Sequence, residues 1–224
     1  MLIQNKIFDT SNHEYTISET KINDTQTLKF NKELGIGFLN PPENVNKVYD
    51  EDYWSRYRAL RDTEIGKNLN QCRIDIANKF KVTSISTLDV GIGNGDFVDK
   101  FGCYGYDVNP EAIKYLKANR KFINPYIESC KWQCITMFDV IEHIEDVESL
   151  LSKTDMVILS TPIYKDLIDV LGSKHFRPTE HLWYFTISGL IHYLNFFGFD
   201  CKYYSTIETK IGRDSIGSFT FKRD

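Results

Sequence analysis

Leu88-Asp89-Val90-Gly91-Ile92-Gly93-Asn94-Gly95-Asp96-Phe97 is the stretch on which the fold turns. Three glycines at alternate positions follow the apolar run Ile85–Val90 and open a helical pattern from Gly95 to Phe101. Strand, glycine loop and helix in that order form the context of a nucleotide-type ligand site. Glycine lets the backbone turn sharply and approach a ligand closely. The dinucleotide pattern G-x-G-x-x-G needs glycine at 96, where Asp96 stands. Pyrophosphate binding is therefore disfavoured, and D-x-G-x-G-x-G, starting at Asp89, fits a ligand without phosphates.

Outward from the loop, short apolar runs alternate with helical patterns. Cys103–Val108 reads as the next strand and carries Asp107 near its end. A carboxylate there can accept hydrogen bonds from both hydroxyls of a ribose, or it can stabilise the next helix through its dipole. That helix is predicted over Pro110–Lys121, with Asn109 as its N-cap and Pro110 in its first turn. Gln133–Phe138 and Asp155–Ser160 read as strands, Val147–Leu151 and Thr186–Phe197 as helices. Asp200–Thr206 and Ser215–Lys222 read as two strands joined by a turn at Gly212, too short a link for a parallel crossover. The alternation predicts a mostly parallel sheet with helices on both faces and an antiparallel last strand. From Tyr49 to Phe80 the pattern is helical. Before it, residues 1–48 alternate polar and apolar over Lys6–Asp9, Glu14–Ile17, Gln26–Phe30 and Ile36–Leu39, a small β-rich or irregular arm closed by Asn40-Pro41-Pro42. The expected division is thus an arm over 1–48 and a main domain over 49–224.

A chain of 224 residues allows one good-sized domain with a modest extension, and its 42% hydrophobic content suffices for a large core. The formal net charge of -4 disfavours a nucleic-acid partner. No apolar run approaches the roughly 18 residues needed to cross a bilayer, and no apolar core of a signal peptide follows Met1. Five cysteines, odd in number and without a CxxC pair, predict reduced thiols and a cytoplasmic setting.

The glycine stretch, Gly105-Tyr106-Asp107, Phe138-Asp139-Val140-Ile141-Glu142-His143-Ile144 and Leu159-Ser160-Thr161-Pro162 together resemble class I S-adenosylmethionine-dependent methyltransferases. The Asp-Val-x-Glu-His phrase is similar to ubiquinone-biosynthesis O-methyltransferases. His175-Phe176-Arg177-Pro178-Thr179-Glu180-His181-Leu182-Trp183-Tyr184-Phe185-Thr186 resembles a subgroup from sugar and cell-surface biosynthesis. The resemblance implies an α/β Rossmann-like fold, a seven-stranded mostly parallel sheet with a C-terminal antiparallel hairpin. It implies S-adenosylmethionine as cofactor, Asp89, Gly91, Gly93, Gly95, Asp107 and Asp139 around it, and a small biosynthetic metabolite as acceptor. A nucleotide-linked sugar is one such acceptor. The subgroup often carries an N-terminal zinc ribbon, but no cysteine lies between Met1 and Gln71. The arm reads as a metal-free remnant of such a module.

Methyl transfer needs an aligned nucleophile and, for a hydroxyl or carbon acid, a base. Glu142 and His143 directly follow the fourth strand, and His181 lies in the connection before the helix at Thr186. Either histidine can serve as base or simply bond a loop backbone. Both are expected over the sheet end that carries the glycine loop. Asp139, Glu142, His143 and His181 also resemble the metal-binding set of small-RNA 2′-O-methyltransferases, which leaves a metal, and an RNA or nucleotide acceptor, as an open alternative. Tyr53 or Tyr57 can cover a sulfonium by cation–π attraction. Asn40-Pro41-Pro42-Glu43 lacks the aromatic that DNA amino-methyltransferases stack on a flipped base, so that activity is disfavoured. A silent methyltransferase-like module serving a protein partner is the remaining reading, and the oligomeric state stays open.

Overall fold

Residues 3–9, 11, 14–40 and 51–223 are described by the computed structural model. The two proline positions after Asn40, the expected helix start at Tyr49 and the 48/49 boundary lie outside them. β4 (Thr87–Val90), β5 (Tyr104–Tyr106), β6 (Cys134–Phe138) and β7 (Met156–Pro162) are parallel, in the order β5-β4-β6-β7. β10 (Ile216–Lys222) pairs antiparallel with β7, and β9 (Asp200–Ser205) pairs antiparallel with β10 at the edge. The crossover helices α4 (Asp96–Phe101), α5 (Pro110–Ala118) and α6 (Val147–Leu151) follow strands as the periodicity predicts. Asn109 caps α5 by accepting from the Glu111 amide at 2.9 Å, with Pro110 in the first turn. α8 (Ile187–Asn195) is capped by the Thr186 hydroxyl.

Among the described residues the sheet has six strands, not seven. After α5 the chain touches the β5 edge at one bridge, Gly105 with Phe122. Two hydrogen bonds hold it there, from Gly105 N to Lys121 O and from Ile123 N to Gly105 O. Pro125 follows two residues later and has no N–H to continue a ladder.

The arm differs more. Lys6 and Ile7 belong to a short helix, α1 (Ile3–Ile7), not to a strand. Ile3 and Ile7 stand one helical turn apart and both pack on the core, Ile7 fully buried. β1 (Ile17–Lys21), β2 (Thr27–Asn31) and β3 (Ile36–Leu39) form an antiparallel meander. A fourth strand completes it from 147 residues further along: β8 (Trp183–Phe185), with Phe38 opposite Trp183 and Ile36 opposite Phe185. Trp183, Tyr184 and Phe185 are fully buried and build the core. Trp183 packs between Phe38 and Tyr193, each at a ring separation of 4.8 Å.

The helical stretch before the sheet divides into α2 (Glu51–Leu60) and α3 (Glu64–Lys79). α7 (Leu167–Gly172) and α9 (Ile207–Lys210) are short additions in the connections after β7 and β9. No described helix is long and apolar enough to cross a membrane.

Candidate active site

The glycine loop leaves β4 with Gly91, Gly93 and Gly95 all at positive φ, of 72°, 54° and 75°. At Gly91 an added Cβ would lie 2.4 Å from Val140 Cγ2, so the loop is pressed against the chain that leaves β6. At Gly93 the nearest atom is Tyr57 Cδ1, 4.0 Å away. The bare backbone there faces space under α2, the shape of a cradle for a ligand.

Asp107 stands beside this cradle at the end of β5. Its carboxylate accepts the Asn109 amide at 2.8 Å and interacts with the amides of Val108, Gly93 and Ile92. It thus ties the glycine loop to the neighbouring strand. Burial pushes its pKa up against the pull of those amides. Asp89 points elsewhere. It is 2% exposed under the loop and accepts from the Thr136 hydroxyl at 2.6 Å. Burial pushes it up to about 7.

α2 buries none of its residues, yet it is fastened over the loop. Arg58 Nη1 donates to the Asn94 carbonyl at 3.0 Å, and its guanidinium lies over the Tyr115 ring at 4.9 Å. Arg61, after α2, bridges the buried Asp96 at 3.1 Å and Asp99 at 2.8 Å. Tyr53 and Tyr57 stack at 4.6 Å on this helix, and Tyr57 is the one beside Gly93.

Next to Val140, the chain makes one 3₁₀ turn over Ile141–His143. His143 and His181 meet there edge to face at a ring separation of 4.6 Å. Glu142 is 2% exposed, and one ligand-type atom from each of Glu142, His143 and His181 lies within 4.8 Å of the others. Residues 38 positions apart are joined because Leu182 N donates to Glu142 O at 2.8 Å. Thr161, at the end of β7, donates to Glu142 Oε2 at 2.9 Å.

The histidines are held neutral. Burial lowers His143 and, together with the nearby His143, drives His181 down to about 3. His143 Nδ1 is 2.8 Å from the Glu180 carbonyl, which only accepts, so Nδ1 carries the hydrogen and Nε2 keeps a lone pair. Burial and then the Asp139 charge push Glu142 up to about 8. A raised carboxyl holds its proton in the folded protein at a pH where the unfolded chain has lost it. Stability therefore falls as pH rises from the unfolded value near 4.5 toward 8. Glu142→Gln is expected to raise stability more at pH 8 than at pH 5. The difference should be at least about 1.4 kcal/mol, the value of one pKa unit. Urea unfolding at the two pH values measures it, and an equal effect at both would contradict the shift.

Asp139 is placed differently from its neighbours. It sits in left-handed backbone at φ 59°, and two guanidiniums converge on Oδ2, Arg213 Nη2 at 2.9 Å and Arg73 Nη2 at 3.1 Å. Burial raises its pKa, but the two arginines outweigh that and hold it low. Both arginines also reach the buried Glu208, Arg73 at 3.5 Å. Asp139 therefore lies outside the cluster of Glu142 and the histidines. Arg73, Arg213 and Arg58 carry no motif in the sequence, and Thr161 and Glu180 stand inside the quoted stretches without a role of their own; only the folded chain brings them here. Arg58 alone had a local signal, its position on the helix of Tyr53 and Tyr57.

No curated protein matches this chain. Several solved structures share its fold. Magnesium protoporphyrin IX methyltransferase from Synechocystis PCC 6803, with bound S-adenosylhomocysteine, aligns with a TM-score of 0.56 at 14% identity, covering 79% of this chain and 96% of its own. N-methyltransferase NodS from Bradyrhizobium japonicum WM9, in complex with S-adenosylhomocysteine, gives 0.52 at 12%, covering 77% and 97%. The 1,6-didemethyltoxoflavin-N1-methyltransferase from Burkholderia thailandensis, with bound 1,6-didemethyltoxoflavin and S-adenosylhomocysteine, gives 0.51 at 14%, covering 92% and 100%. The family model of the methyltransferase domain matches residues 57–203, from within α2 into β9, and the chain belongs to that family.

Proposed function

We propose that this protein transfers the methyl group of S-adenosylmethionine to a small biosynthetic metabolite in the cytoplasm, with a nucleotide-linked sugar as one acceptor of the right class. The observation that carries this is the contact of Gly91 with Val140, which puts the Glu142, His143 and His181 cluster beside the glycine cradle. The cradle suits the cofactor: it offers open backbone at Gly93 and a carboxylate at Asp107, the positions a ribose-bearing ligand without a pyrophosphate needs. The bound states of the structural neighbours support the same ligand. S-adenosylmethionine supplies an electrophilic methyl carbon on a sulfonium.

The residues of this chain then have separable tasks. Asp107 holds the ribose and the glycine loop. The stacked Tyr53 and Tyr57 and the arginine-fastened α2 exclude water from above. His143 Nε2 takes the proton from the acceptor atom as that atom attacks in line. Glu142 and Thr161 keep the turn that presents His143 in place, and His181 packs across the imidazole. Five free thiols fit a reducing compartment.

The test uses methyl-labelled S-adenosylmethionine and a fractionated metabolite extract, with mass spectrometry of the products. A labelled small molecule together with S-adenosylhomocysteine is expected. Label in RNA or DNA would replace the reading, and cofactor binding without any transfer would favour a silent partner module.

A second reading rests on the same three side chains. Two neutral imidazoles and a carboxyl within 4.8 Å form a donor set for a divalent ion, and an ion there would polarise the acceptor in place of a base. Asp139 would not join it, being held by Arg73 and Arg213. Turnover is expected to survive treatment with a chelator. Loss of activity that magnesium or manganese restores would give the metal reading precedence.

A further inference from the structure

Gln26 lies in the turn between β1 and β2, far in sequence from any motif, and is only 3% exposed. Its turn is built by Asn23, whose Oδ1 accepts from the Thr25 and Gln26 amides at 2.9 Å each. Asn23 Nδ2 donates to Gln26 Oε1 at 2.7 Å and sets which way the amide faces. Gln26 Nε2 then donates in two directions, to the Pro178 carbonyl at 2.8 Å and to the Asn40 carbonyl at 3.2 Å. A primary amide nitrogen has two hydrogens, and both are used.

Pro178 belongs to the turn that delivers His181. Glu180 N and His181 N both donate to Arg177 O, at 3.0 and 2.8 Å. Gln26 therefore grips this turn at its second residue. β3 grips the far end, where Leu39 N donates to Leu182 O at 2.8 Å. On the opposite side the same peptide meets the active site. The Glu180 carbonyl takes the His143 Nδ1 hydrogen, and Leu182 N reaches Glu142 O. Residues 177–182 are thus clamped between the arm and the active site, with the Gln26 side chain bonding the turn's backbone from the arm. Proline has no N–H, so the Pro178 carbonyl is the group through which residue 178 can be held by a donor.

We propose that Gln26 is a positioning residue: acting through Pro178, its side-chain amide sets the turn that places His181 and the Glu180 carbonyl, and thereby the tautomer of His143. The arm then has a working role as the outer wall of the site. The catalytic consequence rests on the function proposed above; the placement itself does not.

The experiment compares full-length wild type, Gln26→Ala and Asn31→Ala, all with nitrogen-labelled histidine. Asn31 is the control because it is a buried arm residue that bonds Ile7 O and the Leu34 amide, not the 177–182 turn. Imidazole nitrogen spectra, assigned with His143→Gln, report the tautomer. Amide exchange reports the turn, with temperatures chosen so that the variants have equal stability. Gln26→Ala is expected to mix the two His143 tautomers and to speed exchange over residues 179–182 by roughly tenfold, through easier local opening. Asn31→Ala is expected to leave both unchanged. Affinity for S-adenosylhomocysteine should stay within about twofold in both variants, since the cradle is untouched. An unchanged His143 spectrum in Gln26→Ala would overturn the proposal. So would the same tautomer change in Asn31→Ala, which would reduce Gln26 to general support of the arm. Gln26→Met, of similar length and without donors, serves in its place if the alanine variant does not fold. None of these readouts uses methyl transfer, so failure of the functional reading and failure of the positioning role are separate results.

Discussion

His143→Ala is expected to lower turnover on the true acceptor by about 10²–10⁴-fold, the range of a single general base, with affinity for S-adenosylhomocysteine unchanged. The expectation comes from the state of the imidazole. Burial keeps it neutral, and the bond to the Glu180 carbonyl puts its hydrogen on Nδ1, so Nε2 has a free pair to receive a proton. His181 meets it edge to face at 4.6 Å and is itself 5% exposed, which suits a supporting ring better than a proton acceptor. His181→Ala should therefore act through the placement of His143. Its loss of turnover should be smaller, though still at least roughly tenfold for a catalytic group moved off line. Rates of S-adenosylhomocysteine release measure both. A His143→Ala protein that retains full turnover would return both histidines to a structural role.

Asp107→Ala should weaken cofactor binding by about 1.5–3 kcal/mol, the worth of hydrogen bonds to a charged group. Calorimetry with S-adenosylhomocysteine measures this directly. The thermal shift caused by saturating ligand should shrink in parallel, because a ligand selective for the folded state stabilises it by mass action. Two losses combine in this variant. The ribose loses its acceptor, and the Ile92 and Gly93 amides lose the carboxylate that ties the loop to β5. Asp107→Asn keeps one acceptor oxygen and should fall between wild type and alanine. Unchanged affinity in the alanine variant would move the ribose site elsewhere.

Much of the main domain is local chemistry and is legible in the sequence for that reason. A glycine is needed where φ is positive, and Gly91, Gly93 and Gly95 all have it. Asn109-Pro110 starts a helix because of what an asparagine side chain and a fixed φ do within three residues. The buried parallel strands show as apolar runs, and the brief link around Gly212 excludes a parallel last strand. The seventh strand was implied by resemblance and not by any run of residues. It is absent among the described residues because Phe122 makes one bridge before Pro125 ends the pairing.

What tertiary structure alone decides are the contacts between distant residues, which no period or spacing encodes. Trp183-Tyr184-Phe185 is three aromatics in a long connection as a sequence, yet it is a buried strand because β3 supplies its ladder. Asp139 looks like its neighbours Glu142 and His143 in a motif. Its carboxylate is instead taken by Arg73 and Arg213, which arrive from α3 and from the turn before β10. Gln26 is an ordinary polar residue in a turn until Pro178 comes within 2.8 Å. Motifs determine which groups this chain has for chemistry. The directions and partners of those groups depend on backbone acceptors such as the Glu180 carbonyl, 37 residues from His143, which the folded chain alone brings together.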